Sequence, residues 1–132
     1  MKLALDHVGW VTNNLRLFEK FWVDILGFEK IFESQIPNEM NQTLFKCDSA
    51  YCARYRKDFI TLEVHVYDEP VVESEQPFNK FGINHIALHV YDREAFLKQY
   101  KFDTRIYHNP KGWDNIFIRD FEGNWIELRT TL

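Results

Sequence analysis

The chain has 132 residues, 45% of them hydrophobic and 17% aromatic, which suits one ordered domain with a real core rather than an unfolded chain. Twenty acidic against 16 basic side chains give a net charge of -4, which argues against a nucleic-acid footprint. No apolar run nears the roughly 20 residues of a bilayer span, the first six residues lack a leader pattern, and Cys47 and Cys52 lack the neighbours of a zinc knuckle, so a cytoplasmic chain with two reduced thiols and no membrane partner is expected.

In chain order, residues 3–11 are apolar around Asp6 and His7 and read as a strand buried on at least one face. Asn13 or Asn14 caps a helix whose apolar positions Leu15, Phe18, Phe21, Trp22, Ile25 and Leu26 recur at helical spacing until Gly27 stops it. A strand over 28–36 follows, then a short helix over 38–46 opened by Pro37. Strands near 51–56 and 59–67 flank a tight turn at Lys57 and Asp58. The acidic stretch 68–81, with Glu69-Pro70 and Gln76-Pro77, reads as a connector. The order then repeats as a strand over 82–90, a helix over 93–100, a strand over 104–108, a turn over 109–112, a strand over 113–119, a turn over 120–123 and a closing strand over 124–130. An α+β fold is expected, a single domain made of two βαβββ modules, 1–67 and 82–132.

The repeat carries a chemical pattern. Leu5-Asp6-His7-Val8 and Thr61-Leu62-Glu63-Val64 in the first module are echoed by Ile83-Asn84-His85-Ile86 and Trp125-Ile126-Glu127-Leu128 in the second. Two histidines and two carboxylates are a complete ligand set for one divalent metal, so His7, Glu63, His85 and Glu127 are the expected metal ligands. Strand alternation puts Thr61, Glu63, His65 and Tyr67 on one face and Ile60, Leu62, Val64 and Val66 on the other. It likewise sets His85, Ala87 and His89 against Ile86, Leu88 and Val90, and Trp125, Glu127 and Arg129 against Ile126 and Leu128. The apolar faces belong under the helices, and the polar faces, if the sheets curl together, line a cup. Burying a carboxylate unpaired is expensive and a second adds repulsion; a dication removes both penalties.

His65, His89 and His108 read as hydrogen-bonded or partly exposed side chains, although alternation aims His65 and His89 at the same cup. Trp10, Phe18, Phe21, Trp22, Phe28, Phe32, Phe59 and Phe96 read as core or helix-to-sheet packing, whereas Phe117 and Trp125 point toward the ligand face. Arg54, Arg56, Arg119, Arg129 and Lys111 read as solvated charges unless one clamps a substrate carboxylate. The residues placed to touch a substrate are His65, Tyr67, His89, Asn115, Phe117, Arg119 and Trp125.

These segments, together with Phe21-Trp22-Val23-Asp24-Ile25-Leu26-Gly27-Phe28 and Arg119-Asp120-Phe121-Glu122-Gly123-Asn124, resemble the vicinal oxygen chelate superfamily, the glyoxalase/bleomycin-resistance/dioxygenase group, over essentially the whole chain. The resemblance implies paired βαβββ modules forming a curved mixed-sheet cup around a metal, often within a homodimer. Within the group, the quartet looks like that of glyoxalase I, lactoylglutathione lyase. Ring-cleaving dioxygenases and fosfomycin-modifying enzymes typically use three ligands. The implied activity is a divalent-metal-dependent lyase or isomerase acting on a small α-oxo or α-hydroxy carbonyl compound through a metal-stabilised enediolate. Zn, Ni, Co, Mn or Fe(II) would suit the ligands, and Glu127 or Glu63 would serve as base, with Glu127 favoured. Glutathione-using members commonly place an Arg four residues after the first ligand His and an Asn four after the first ligand Glu. Val11 and Tyr67 stand there, so the metal chemistry is better supported than glutathione. The alternatives are an Fe(II) ring-cleaving dioxygenase and a non-catalytic small-molecule (drug) binding protein of the same superfamily.

Overall fold

A computed structural model describes residues 1–2, 4–47, 50–68 and 82–130. The chain divides into two units, 1–73 and 74–132. The first unit holds β1 (Val8–Val11), α1 (Leu15–Glu19), β2 (Glu29–Ile36), α2 (Asn38–Met40), β3 (Ala50–Lys57) and β4 (Ile60–Tyr67). Its sheet runs β1-β4-β3-β2, with β1 parallel to β4 and the other pairs antiparallel. The second unit holds β5 (His85–Val90), α3 (Arg93–Gln99), β6 (Thr104–His108), β7 (Asp114–Arg119) and β8 (Trp125–Thr130). Its sheet runs β5-β8-β7-β6 by the same rule, β5 parallel to β8. Both units therefore read βαβββ. The ladders share a register as well, Gly9 lying opposite Glu63 and Ala87 opposite Glu127, so each glutamate pairs two residues beyond its histidine.

The apolar faces pack as alternation requires. In the first unit Leu62, Val64 and Tyr55 are buried beneath Phe18, Phe21 and Trp22. Trp22 meets the edges of Trp10 (5.4 Å), Phe21 (5.4 Å) and Phe28 (5.2 Å). Each such ring contributes roughly 4 kcal/mol of gross burial before conformational entropy is subtracted. The buried Tyr55 hydroxyl donates to Glu19 Oε1 at 2.6 Å, and Lys30 Nζ bridges Glu19 (3.0 Å) and Glu33 (3.2 Å), which ties α1 to β2 and β3. Burial and the Glu19 carboxylate both push the Tyr55 phenol above its ordinary range. In the second unit Ile116, Ile118, Ile126 and Leu128 form the buried face. Phe96 of α3 stacks on Phe102 at 5.2 Å.

Four expectations change. The helix predicted to run to Leu26 is α-helical only through Glu19 and continues over Lys20–Ile25 as a wider π-helical turn, in which Leu26 N–H reaches the Phe21 carbonyl. The wider turn lets the sequence neighbours Phe21 and Trp22 both face the core, which the tighter α spiral resists. The second helix is likewise one α turn followed by a π turn over Asn41–Phe45, closed by Lys46 in the left-handed region (φ 57°). The first and fifth strands start at Val8 and His85, because Leu5 and Ile83 ahead of them are exposed and bury nothing. The hairpin turn is Asp58 and Phe59, since the ladder extends to Lys57 opposite Ile60 and Asp58 takes the positive φ (51°). Phe59 is therefore fully exposed at the loop tip and not core, and Phe32 is half exposed on β2. The connector with Glu69-Pro70 and Gln76-Pro77 lies, from residue 69 to 81, outside the described residues, as does Leu3.

Candidate functional site

Each unit brings its histidine to its glutamate. His7 Nε2 lies 3.7 Å from Glu63 Oε1, and His85 Nε2 lies 3.7 Å from Glu127 Oε2. In both cases the preceding residue holds the far side of the ring: Asp6 Oδ2 accepts from His7 Nδ1 at 2.7 Å, and Asn84 Oδ1 accepts from His85 Nδ1. Accepting oxygens at Nδ1 fix the tautomer with the proton there, so Nε2 turns a lone pair toward the carboxylate. At 3.7 Å the two acceptors are too far apart for a hydrogen bond. Two donors bound about 2.1 Å from one ion stand roughly 3–3.5 Å apart, a few tenths of an ångström closer. The donor types, tautomer and spacing all fit a divalent cation.

The two carboxylates differ in how they are held. Glu63 Oε2 accepts a fork from Arg54, Nε at 2.7 Å and Nη2 at 2.6 Å, while Oε1 accepts from His65 Nε2 at 3.0 Å. Burial pushes the Glu63 carboxyl up, but the bonds from His65 and Arg54 and the Arg54 charge outweigh it, and the group sits below the ordinary carboxylate range. Glu127, 9% exposed, accepts one longer bond from Arg129 Nη1 at 3.3 Å. Its strand is launched by buried Asp120, whose carboxylate accepts the N–H groups of Glu122 (2.9 Å) and Asn124 (2.8 Å). Burial raises the Asp120 pKa against those bonds.

Around Glu63 stand His65 and Tyr67 at two-residue spacing on β4, the Tyr67 hydroxyl hydrogen-bonding His65 Nδ1 at 3.1 Å. Phe45, from the segment after Pro37, sets its ring edge-on to His65 at 5.0 Å. A cavity of about 450 Å³ opens beside them, walled by Ile31, Phe32, Ile36, Met40 and Phe45 and reaching Cys52, Arg54, Glu63 and His65. Phe32 thus faces this cavity across from Arg54.

In the second unit Phe117 sets its ring against His85 at 5.1 Å. Trp125 is buried with the Arg105 and Arg119 guanidiniums over its ring, at 4.6 and 4.2 Å. Asn115 lines a separate cavity of about 520 Å³ with Arg93, Trp113 and Arg129. His89 Nδ1 bonds the Thr130 carbonyl at 2.7 Å, and exposed His108 bonds Asp114 at 2.7 Å. Val11 is exposed and sits opposite His65. The sequence sets Arg54 among the solvated charges and Cys52 as a reduced thiol, and places neither beside Glu63. The first is no solvated charge but the clamp of Glu63, and both follow from the β3–β4 register once the turn is set at Asp58 and Phe59.

No protein-family model and no curated protein matches the chain in sequence, whereas solved structures match its fold over nearly all its length. One is a glyoxalase family protein from Bacillus cereus, with a TM-score of 0.80 and 16% identity over 100% of this chain and 96% of that one. Another is the trypanothione-dependent glyoxalase I of Leishmania major, with a TM-score of 0.64 and 19% identity over 94% and 84%. A third is the fosfomycin resistance protein of Listeria monocytogenes complexed with Mn(II) and sulfate, with a TM-score of 0.63 and 18% identity over 100% and 95%. These likenesses show the fold: the chain shares the architecture of these glyoxalase and fosfomycin-resistance structures, and is itself built from two βαβββ units. Among the described residues no helix is long and apolar enough to cross a membrane.

Proposed function

We propose that the chain is a divalent-metal-dependent lyase or isomerase of the glyoxalase type, in which His7, Glu63, His85 and Glu127 ligate one ion. The two units would then act as one domain, and a homodimer is the proposed assembly. The observation that carries this reading is the repeated His–Glu pair, with the same ladder register, the same 3.7 Å spacing and the same Nδ1 anchor in both units. The Mn(II) of the matched Listeria protein and the likeness to the Leishmania glyoxalase I support the class. When bound, the cation would supply Lewis acidity to two neighbouring substrate oxygens and stabilise the negative charge left as a proton leaves the adjacent carbon.

The protein's own groups divide the remaining work. Arg54 and His65 fix Glu63 as a carboxylate on both oxygens, which suits a permanent ligand. Glu127, with one long bond, is the carboxylate free to take and return the proton. The apolar wall of Ile31, Phe32, Met40 and Phe45 favours a substrate with an apolar body beside its carbonyl group. Tyr67, already bonded to His65, offers little to a glutathione carboxylate. The test is metal content of the purified protein followed by turnover of small α-oxo and α-hydroxy carbonyl compounds; no divalent metal bound at micromolar concentration would sink the reading.

The same cavity favours one second reading, sequestration of an apolar small molecule without chemistry. A Glu63→Gln, Glu127→Gln double substitution separates the two, because catalysis should vanish and simple sequestration should persist.

A further inference from the structure

Three donors of different chemistry converge in the first unit, two of them outside the repeated pattern. Cys52 Sγ, a Glu63 carboxylate oxygen and a His65 ring nitrogen all lie within 4.8 Å of one another. Cys52 stands directly opposite His65 in the β3–β4 ladder, so the thiol and imidazole project from the same face of two bonded strands, with Glu63 two residues before His65. Cys52 is 7% exposed and His65 8% exposed. Among the described residues the Cys52 thiol makes no hydrogen bond, and it packs with Ile36 and Ala50 on its apolar side. Burial first, and the Glu63 charge after it, push the Cys52 thiol up.

We propose that Cys52, Glu63 and His65 form a binding position for a thiophilic divalent cation such as zinc, separate from the His7, Glu63, His85 and Glu127 set and sharing only Glu63 with it. Sulfur, imidazole and carboxylate are the donors zinc takes at about 2.0–2.3 Å, and three protein ligands leave a fourth position open. That position faces the 450 Å³ cavity, which all three residues line. On binding, the Cys52 S–H bond breaks, the sulfur–metal bond forms and the proton leaves to solvent. Thiolate and carboxylate together carry two negative charges, which the dication cancels; with one proton released, loading changes the site by one positive charge, which rests on the partly exposed Arg54 guanidinium already facing Glu63. His65 must present Nε2 without a proton. The Tyr67 hydroxyl at Nδ1 accepts as readily as it donates, so the ring can move its proton to Nδ1 and keep that bond. Arg54 approaches Oε2, which leaves Oε1 to the cation. Because His7 faces that same Oε1, the two cation positions are alternatives for one oxygen.

Cobalt(II) titration of the full chain tests the assignment, because sulfur-to-cobalt charge transfer gives a near-ultraviolet band that nitrogen and oxygen ligands do not. The deciding protein is His85→Gln, Glu127→Gln, which removes half of the other ligand set. It should bind Co(II) with the sulfur band; the band should be lost on adding Cys52→Ser and kept on adding Cys47→Ser. A His85→Gln, Glu127→Gln protein without the band, or a band that survives Cys52→Ser, overturns the assignment. Co(II) bound by the unaltered chain without the band, and lost in the double variant, leaves the glyoxalase-type reading standing and refutes this one. The band with unchanged Co(II) affinity in the double variant does the reverse. If the double variant does not fold, Cd(II) on the unaltered chain decides: its thiolate absorption must appear and must be lost in Cys52→Ser.

Discussion

The two units make the same ladder and hold the same two side chains, yet they hold them differently. In the first, Glu63 is gripped on both oxygens by Arg54 and His65, and the segment after Pro37 lays Phe45 over the histidine. In the second, Phe117 occupies the place across from Glu127 that Arg54 occupies across from Glu63, and the link from β6 to β7 is a turn with no covering helix. One unit therefore offers a carboxylate locked in its charged form beside an apolar cavity; the other offers a looser carboxylate under an aromatic ring. The two halves of the repeat differ in the neighbours of the residues they share.

The most forceful way to break this comparison is to remove the carboxylates. Glu63→Gln, Glu127→Gln should abolish both turnover and bound metal, measured by metal analysis and steady-state kinetics. The single variants should differ: Glu127→Gln should lower kcat by about 10²–10⁴-fold at saturating metal, whereas Glu63→Gln should be partly restored by excess metal. Equal behaviour of the two singles would remove the division of labour. Core substitutions come next. Trp22→Ala should destabilise by about 3–5 kcal/mol and Leu128→Ala by about 2–5 kcal/mol in urea unfolding, the first being larger because Trp22 is fully buried among three ring edges.

Arg54→Met probes the grip on Glu63. The folded chain holds the Glu63 carboxyl below its ordinary range, so the unfolded chain takes up the proton more readily. That stabilisation is full at neutral pH and is lost as pH falls through and below the ordinary carboxylate range. Arg54 is more than a third exposed, so the pair should contribute about 1 kcal/mol or less. Arg54→Met should accordingly weaken the chain more at neutral pH than in acid below the ordinary carboxylate range, read by urea unfolding at both. The smallest effect tests what the units share. Asn14 Oδ1 accepts from Leu17 N–H at 3.2 Å and Asp92 Oδ1 from Ala95 N–H at 3.0 Å, so Asn14→Ala and Asp92→Ala should each cost about 1 kcal/mol.

Much of this was written in the pattern of residue types. Period-two alternation identifies the face of Glu63, His65 and Tyr67, and helical spacing identifies Phe18, Phe21 and Trp22 as buried. What alternation does not give is register, and here one residue was decisive. A turn at Lys57 and Asp58 would set Cys52 against Glu63; the ladder that closes at Lys57 and Ile60 sets Arg54 there and moves Cys52 opposite His65. The signal for the true turn lies in Asp58, which tolerates a positive φ far better than Lys57, and in the willingness of the fold to leave Phe59 in water. The π-helical widening of α1 was less legible, because helical spacing is nearly the same for either spiral over so few residues, and only the joint burial of adjacent Phe21 and Trp22 distinguishes them.

The parallel pairing of β1 with β4, and of β5 with β8, has a consequence for synthesis. Each unit's histidine enters its first strand and its glutamate sits in its last, and the two meet only when the unit closes end to end. Such a pairing is the slowest kind to form, since the intervening chain must be organised first. A growing polypeptide therefore exposes no partial chelator from these pairs while it emerges, and a cation that prefers both donors together finds them only in a finished unit.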